Sequence, residues 1–283
     1  MKPMSSCAIR AAALVLISPA CFGAAITTVG FNDSQTATPD FKFNNVPSPS
    51  KGDAASKAQF YLSTGDKDDN SGDLFSLHDG KLPASADDAA GNFFFKAGSD
   101  GGRLVIDLGS LIDVKQINTY SWNSGSHAAQ VYKVYGSDGR ANNFSTQSIQ
   151  GGAPESFGWK RITKVDTRPA QGTGTGQYGV SISDANGPIG KYRYIMFDFS
   201  PTEKDDDQGN TYYSEIDVID ANAPSTARML VPPSNLNRRE FAPGVGIRLM
   251  ALNSTAPADL PESVAQGGAE FPSETSALTA SIR

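Results

Sequence analysis

The sequence predicts an all-β fold, an antiparallel β-sandwich or jelly roll, over residues 26–220. Short runs alternate apolar and polar side chains. Leu104, Ile106 and Leu108 alternate with Arg103, Val105 and Asp107; Ile195, Phe197 and Phe199 with Tyr194, Met196 and Asp198; Ile216 and Val218 with Glu215 and Asp217. A period of two with one apolar face describes a sheet half-buried against a second layer. Turn-forming clusters separate the runs, and no stretch of ten or more residues carries a helical period. Many short strands with glycine-rich punctuation imply antiparallel layers.

The elements follow in chain order. Met1–Arg10 carries two positive charges, Ala11–Phe22 is apolar, and Gly23, Ala24 and Ala25 are small. That is the pattern of an export signal over residues 1–25, cleaved after Ala25 and too short to span a bilayer. A lipoprotein signal using Cys21 is an alternative, poorly supported by the preceding Ser18-Pro19-Ala20. Residues 26–73 supply opening strands. The run ending at Leu108 is closed by Gly109, and β-prone runs follow at Val114–Trp122, Gln130–Gly136, Trp159–Val165 and Tyr178–Ile182. Asn123–Gly125, Ser137-Asp138-Gly139 and Asn186-Gly187-Pro188 supply the turns. Residues 221–283 are rich in Pro, Ser, Ala and Thr, and too poor in apolar surface to offset their ordering entropy. A largely disordered tail is expected there, with a single alternating strand at Gly244–Leu252 as the exception.

Composition narrows the function. The chain has 283 residues, 24 Lys+Arg against 30 Asp+Glu, two cysteines and two histidines. Removing residues 1–25 takes away Lys2 and Arg10, leaving 22 against 30, a net charge of −8. So acidic a chain lacks the basic footprint of a nucleic-acid or anionic-lipid binder. Cys7 and Cys21 both fall in the export segment, so the mature chain has no disulfide, cysteine–metal site or cysteine nucleophile. His78 and His127 alone cannot make a three-histidine zinc centre. No nucleophile elbow, phosphate loop or metal-peptidase helix occurs. A Ser-His-Asp triad or a glycosidase carboxylate pair is not excluded by sequence.

The order of the pieces carries a resemblance. LHDG is followed by GGRLVIDLGSLIDVKQINTYSW, QVYKVYGSDG, GWKRITKVDTRP, KYRYIMFDFS and YYSEIDVID. In this order, over residues 74–220, the blocks resemble the discoidin or coagulation-factor type C family of galactose-binding-like jelly rolls. Trp159, Tyr194 and Phe197 are read as packing residues.

The resemblance implies one structural calcium ion between an early Asp-Gly loop and a glutamate near the last strand. The matching positions are Asp79-Gly80 and Glu215, with Asp87 and Asp88 near enough in sequence to contribute. Calcium takes six to eight oxygens, some of them carbonyls exposed by a sharp glycine turn. No Ser or Thr follows Asp79-Gly80 directly, which leaves the other ligands open, with Ser85 as a substitute. The acidic run Asp66–Asp73 fails as an EF-hand, with Ser71 at the glycine position and Leu77 at the final glutamate position. It is read as a solvated loop, as is Glu203–Asp207; a looser oxygen cage of Asp66, Asp68, Asn70 and Asp73 is the other reading.

Ligands of the resembled fold bind on loops at one end of the sandwich. The candidate loops are Trp122–Ala129, the stretch between Gly139 and Trp159, and Thr202–Tyr213. They offer Trp122, Asn123, His127, Asn210 and Tyr212, with Arg168 joining from the segment after Trp159. Aromatic faces stack on the apolar face of a pyranose while Asn, His and Arg fix hydroxyls. Each of these side chains also has a bland reading: Trp122 as a core cap, His127 as a solvated loop residue. The expected protein is an exported, monomeric, non-catalytic module that binds extracellular or cell-surface glycan or mediates adhesion. A protein-interaction module on the same scaffold is the alternative.

Overall fold

The computed structural model describes residues 24–147, 152–171, 174–202 and 210–224. Residues 1–23 of the expected export signal, the Glu203–Asp207 run and the tail from residue 225, including Gly244–Leu252, lie outside the described residues. Eight strands are present among those described: β1 (Ile26–Asn32), β2 (Gln59–Thr64), β3 (Gly102–Asn123), β4 (Val131–Ser137), β5 (Lys160–Asp166), β6 (Gly176–Ser183), β7 (Gly190–Phe199) and β8 (Tyr213–Asp220). Every pairing between them is antiparallel. The only helical elements described are 3₁₀ turns of three or four residues. The all-β sandwich expected from the period-two runs is the observed architecture.

β3 belongs to both layers. Its first part, through Asp107, lies between β2 and β7, and β4 and β5 extend that sheet beyond β7. From Gln116 onward it lies between β6 and β8, with β1 completing that edge. Gly109 does not end the strand, as its sequence context suggested. Pairing with β7 shifts register between Asp107 and Ile112, and Gly109 sits at φ 75°, its N–H donating to Asp107 Oδ1 at 2.8 Å. The glycine bends one 22-residue strand from the first layer into the second.

The inner faces meet in a core built on Leu104, Ile106, Ile117, Val134, Phe197 and Ile216, all fully buried. Tyr132 meets the Phe197 ring edge-on at 5.2 Å. Burying each such side chain contributes about 1.5–3 kcal/mol, which holds the layers together with no cysteine among the described residues. Trp159 and Tyr194 pack elsewhere: with Val105, Tyr135 and Met196 they form a second cluster, separate from the inter-layer core. Phe144 and Phe157, from the β4–β5 connection, close over it.

Register decides which loops share an end. Tyr132 pairs with Phe199 and Val131 with Asp166, so the connections after β3, β5 and β7 emerge together. Gly136 pairs with Lys160 and Val114 with Gly190, which places the β4–β5 and β6–β7 connections at the opposite end. The stretch between Gly139 and Trp159, expected among the ligand loops, is thus at the far end from the other two.

Candidate functional site

The loop end is bound together by hydrogen bonds between segments distant in sequence. The Tyr212 N–H donates to His127 O at 2.9 Å, and Thr202 Oγ1 donates to Ser126 O at 3.2 Å. Arg168 Nη1 donates to Thr202 O at 3.2 Å, and Thr211 Oγ1 to Ala129 O at 2.6 Å. The Gln130 backbone bonds Thr167 twice, its N–H donating to the Thr167 side-chain Oγ1 and its carbonyl accepting from the Thr167 N–H. Beneath them, the Gln130 side chain is held by Thr119 and Ser121 of β3. Satisfying a buried amide on both sides fixes the chain that carries His127.

Arg168 is exposed and forked onto Asp166, with Nε to Oδ1 at 2.9 Å and Nη2 to Oδ2 at 2.6 Å. That guanidinium holds the Asp166 carboxyl below the usual carboxylate range. Asn123 Nδ2 donates to Asp87 Oδ1 at 3.2 Å, and Ser124 Oγ donates to the same carboxylate at 2.8 Å. Asn210, buried, donates to Lys96 O and Ser99 Oγ at 3.4 Å, while its Oδ1 has no hydrogen-bond partner.

The aromatic residues differ from their sequence-level expectation. Trp122 is 4% exposed, its indole Nε1 buried without a hydrogen-bond partner. Tyr212 stacks on Phe94 at 4.0 Å and on His127 at 5.6 Å, with interplanar angles of 9° and 17°. Neither presents an open ring face to a pyranose: Trp122 is buried, although alternation puts it on the face of β3 opposite Ile117, and protein rings already engage Tyr212. Among the described residues this end exposes Ser124 and Arg168 and leaves Tyr212 half-buried.

A buried acidic cluster lies beside this end. Glu215 of β8 is fully buried; its Oε2 accepts the Gly80 N–H at 3.1 Å and its Oε1 has no hydrogen-bond partner. Burial, reinforced by Asp217, pushes its pKa up to about 10. Burial and then Asp53 push Asp217 up to about 7, although Asp217 accepts from Ser50 N–H, Asn118 Nδ2 and Tyr120 OH. Asp53 accepts from the Ala55 and Val218 N–H groups. Alternation along β8 put Glu215 and Asp217 on one face; nothing in the sequence pointed to Asp53 as their neighbour.

The four residues expected at a calcium site do not all meet. Asp79 is held by Lys81, through its backbone N–H at 2.9 Å and its ammonium at 3.4 Å, on the loop whose Gly80 touches Glu215. Asp87 is turned to Asn123 and Ser124. Asp88 gives one oxygen to Gly91 N–H and the other to Ala84 N–H, capping a 3₁₀ turn. Among the described residues no group of three or more His, Cys, Asp or Glu is arranged to hold a metal. The orphaned, buried Glu215 Oε1 nevertheless fits a cation that takes its remaining ligands from carbonyl oxygens.

Antiparallel layers sharing β3, with three connections gathered at one end, make an antiparallel β-sandwich. No family model matches the sequence, and no curated protein matches it. Solved structures do. A family 32 carbohydrate-binding module of Clostridium perfringens NanJ, in complex with galactose, is similar at 14% identity and a TM-score of 0.37, covering 58% of this chain and 95% of its own. A Streptococcus pneumoniae fucose binding module is similar at 16% identity and a TM-score of 0.38, covering 59% and 94%. The lectin domain of lectinolysin complexed with Lewis B antigen is similar at 13% identity and a TM-score of 0.37, covering 60% and 96%.

Proposed function

We propose that the protein is an exported, non-catalytic carbohydrate-binding module that grips glycan with the loop end of its sandwich. The observation that supports this most is convergence. Segments leaving β3, β5 and β7 are cross-linked at one end through Thr202–Ser126, Arg168–Thr202 and Tyr212–His127 hydrogen bonds. A rigid polar rim of this kind suits hydroxyl-rich ligands, because donors and acceptors are held in place before binding. Recognition rests on hydrogen bonds from Arg168, Ser124 and the Tyr212 edge rather than on ring stacking. A monovalent site built this way falls in the micromolar to millimolar range, about −8 to −4 kcal/mol. Repeated presentation would raise its avidity.

Calcium completes this reading as a structural ion. Glu215 would supply the carboxylate, and the loop of Asp79 and Gly80 would supply carbonyl oxygens. The ion would neutralise the buried acids and fix the Gly80 loop. Among the described residues no helix is long and apolar enough to cross a membrane.

A glycan array probed with the intact protein, followed by calorimetric titration of the best sugar, tests the proposal. Saturable binding that weakens at least tenfold in Arg168→Ala is expected. No binding across a broad panel of neutral and fucosylated glycans would overturn it.

A further inference from the structure

We propose that the outer face of the β2–β3–β7 sheet carries a second glycan site, a groove that takes a neutral oligosaccharide. It is separate from the loop end, although its ligand class rests on the reading above. The groove encloses about 770 Å³, within the roughly 300–1,000 Å³ of small-molecule sites. Gln59 and Tyr61 of β2 line one bank, and Thr146 and Gln147 of the β4–β5 connection line the other. Asp107 and Tyr194, cross-strand partners on β3 and β7, line the space as well.

Two features select the ligand. Arg193 forks onto Asp107, with Nε to Oδ1 and Nη2 to Oδ2 both at 3.0 Å, so the carboxylate brings no net charge to the groove. The other polar groups are amides and hydroxyls, which both donate and accept and therefore match sugar hydroxyls. Half-buried rings supply apolar surface: Phe144 meets Tyr194 at 4.9 Å, and the Arg193 guanidinium lies 4.9 Å from the Tyr194 ring centre. Among the described lining residues, a cationic or anionic ligand meets no unpaired charge to answer its own.

The far bank is anchored. Trp159, itself packed on Val105, Tyr135 and Met196, donates its indole N–H to Ser145 O at 2.9 Å. Phe144 packs against the Trp159 ring at 5.4 Å. The long connection is thus tied to the sheet beside the groove, which lowers the ordering cost of binding.

The test is a ¹H–¹⁵N titration of the full chain with maltohexaose, cellohexaose and a β-1,4-galactohexaose in turn. At least one hexasaccharide is expected to shift the Gln59 and Gln147 side-chain amides together with the Tyr61 and Tyr194 backbone amides, in a saturable manner. The double variant Gln59→Ala/Gln147→Ala alters two exposed side chains; it is expected to keep its melting temperature and lose at least tenfold in affinity at these resonances. Shifts confined to residues around His127 and Arg168 would overturn the second site and leave the loop-end reading standing. Shifts confined to the groove would support the second site and count against the loop end. Silence at both with all three hexasaccharides would overturn the groove, while the glycan array judges the loop end independently.

Discussion

The backbone N–H of Gly80 donates to Glu215 Oε2 at 3.1 Å across 135 residues of sequence. This bond couples the loop that follows a 3₁₀ turn to the last strand of the sandwich. It satisfies one carboxylate oxygen and leaves the other buried without a partner. An ion at that oxygen would bind only the folded chain, so it would stabilise the fold by mass action.

Calcium at one hundred times its dissociation constant is expected to add about 2.7 kcal/mol, or roughly 5–11 °C in melting temperature for a domain of this size. Glu215→Gln removes the ionisable group and the ligand together. Its melt should be at least as high as the parent's in chelator, and should not rise with calcium. Differential scanning fluorimetry of both proteins checks this; a calcium response unchanged in Glu215→Gln removes Glu215 as a ligand.

Without metal, stability should fall as pH rises. Glu215 and Asp217 have folded-state pKa values raised to about 10 and about 7. Such acids hold protons in the fold that the unfolded chain has already released. Below about pH 4 both states are protonated and the effect vanishes. Above it, stability declines through pH 7 as Asp217 ionises, and onward to pH 10 for Glu215. Thermal melts in chelator from pH 4.5 to 9 should slope downward, and calcium should flatten them. A rising slope would contradict the buried, unpaired state of these acids.

Trp122 should behave as a packing residue. Trp122→Ala empties a buried site and is expected to cost about 3–5 kcal/mol. Trp122→Phe keeps most of the ring and removes a buried, partnerless N–H, so its cost should be much smaller. Glycan affinity of the folded Trp122→Phe protein should match the parent; a selective loss of binding would return the indole to the site.

Two glycines with similar φ should respond differently to alanine. Gly109 sits at φ 75° with open space around its missing Cβ, so Gly109→Ala should cost only the left-handed strain, about 1–2 kcal/mol. Gly101 sits at φ 86°, and a Cβ there would run into the Phe199 carbonyl oxygen. Gly101→Ala should therefore be clearly worse, as denaturant unfolding of the pair would show. Equal costs would mean that the chain relaxes freely around Gly101.

Much of the strand set was legible because alternation is local. Leu104–Ile106, Ile195–Phe199 and Ile216–Val218 each carry their inward face in their own sequence. Gly109 misled for the same reason: a glycine after a strand reads as a stop, and only pairing with β7 on both sides of the bulge reveals a bend. Of the residues chosen for glycan contact, His127 and Tyr212 are in contact, and Arg168 joins them through Thr202. Asp87 and Asn123 also meet, although they had been assigned to different sites. The connection between Gly139 and Trp159 looked like the other two loops in composition, and only register could send it to the opposite end.

By itself the sequence determined the β strands and the absence of thiol side chains after Cys21. Those depend on side-chain periodicity and residue inventory, which need no partner. Only the tertiary structure decided that Trp122 is buried, that Tyr212 is engaged by Phe94 and His127, and that Asp53 joins Asp217 and Glu215. Exposure and proximity across more than a hundred residues are products of sheet register, a property of pairs of strands that no single strand encodes.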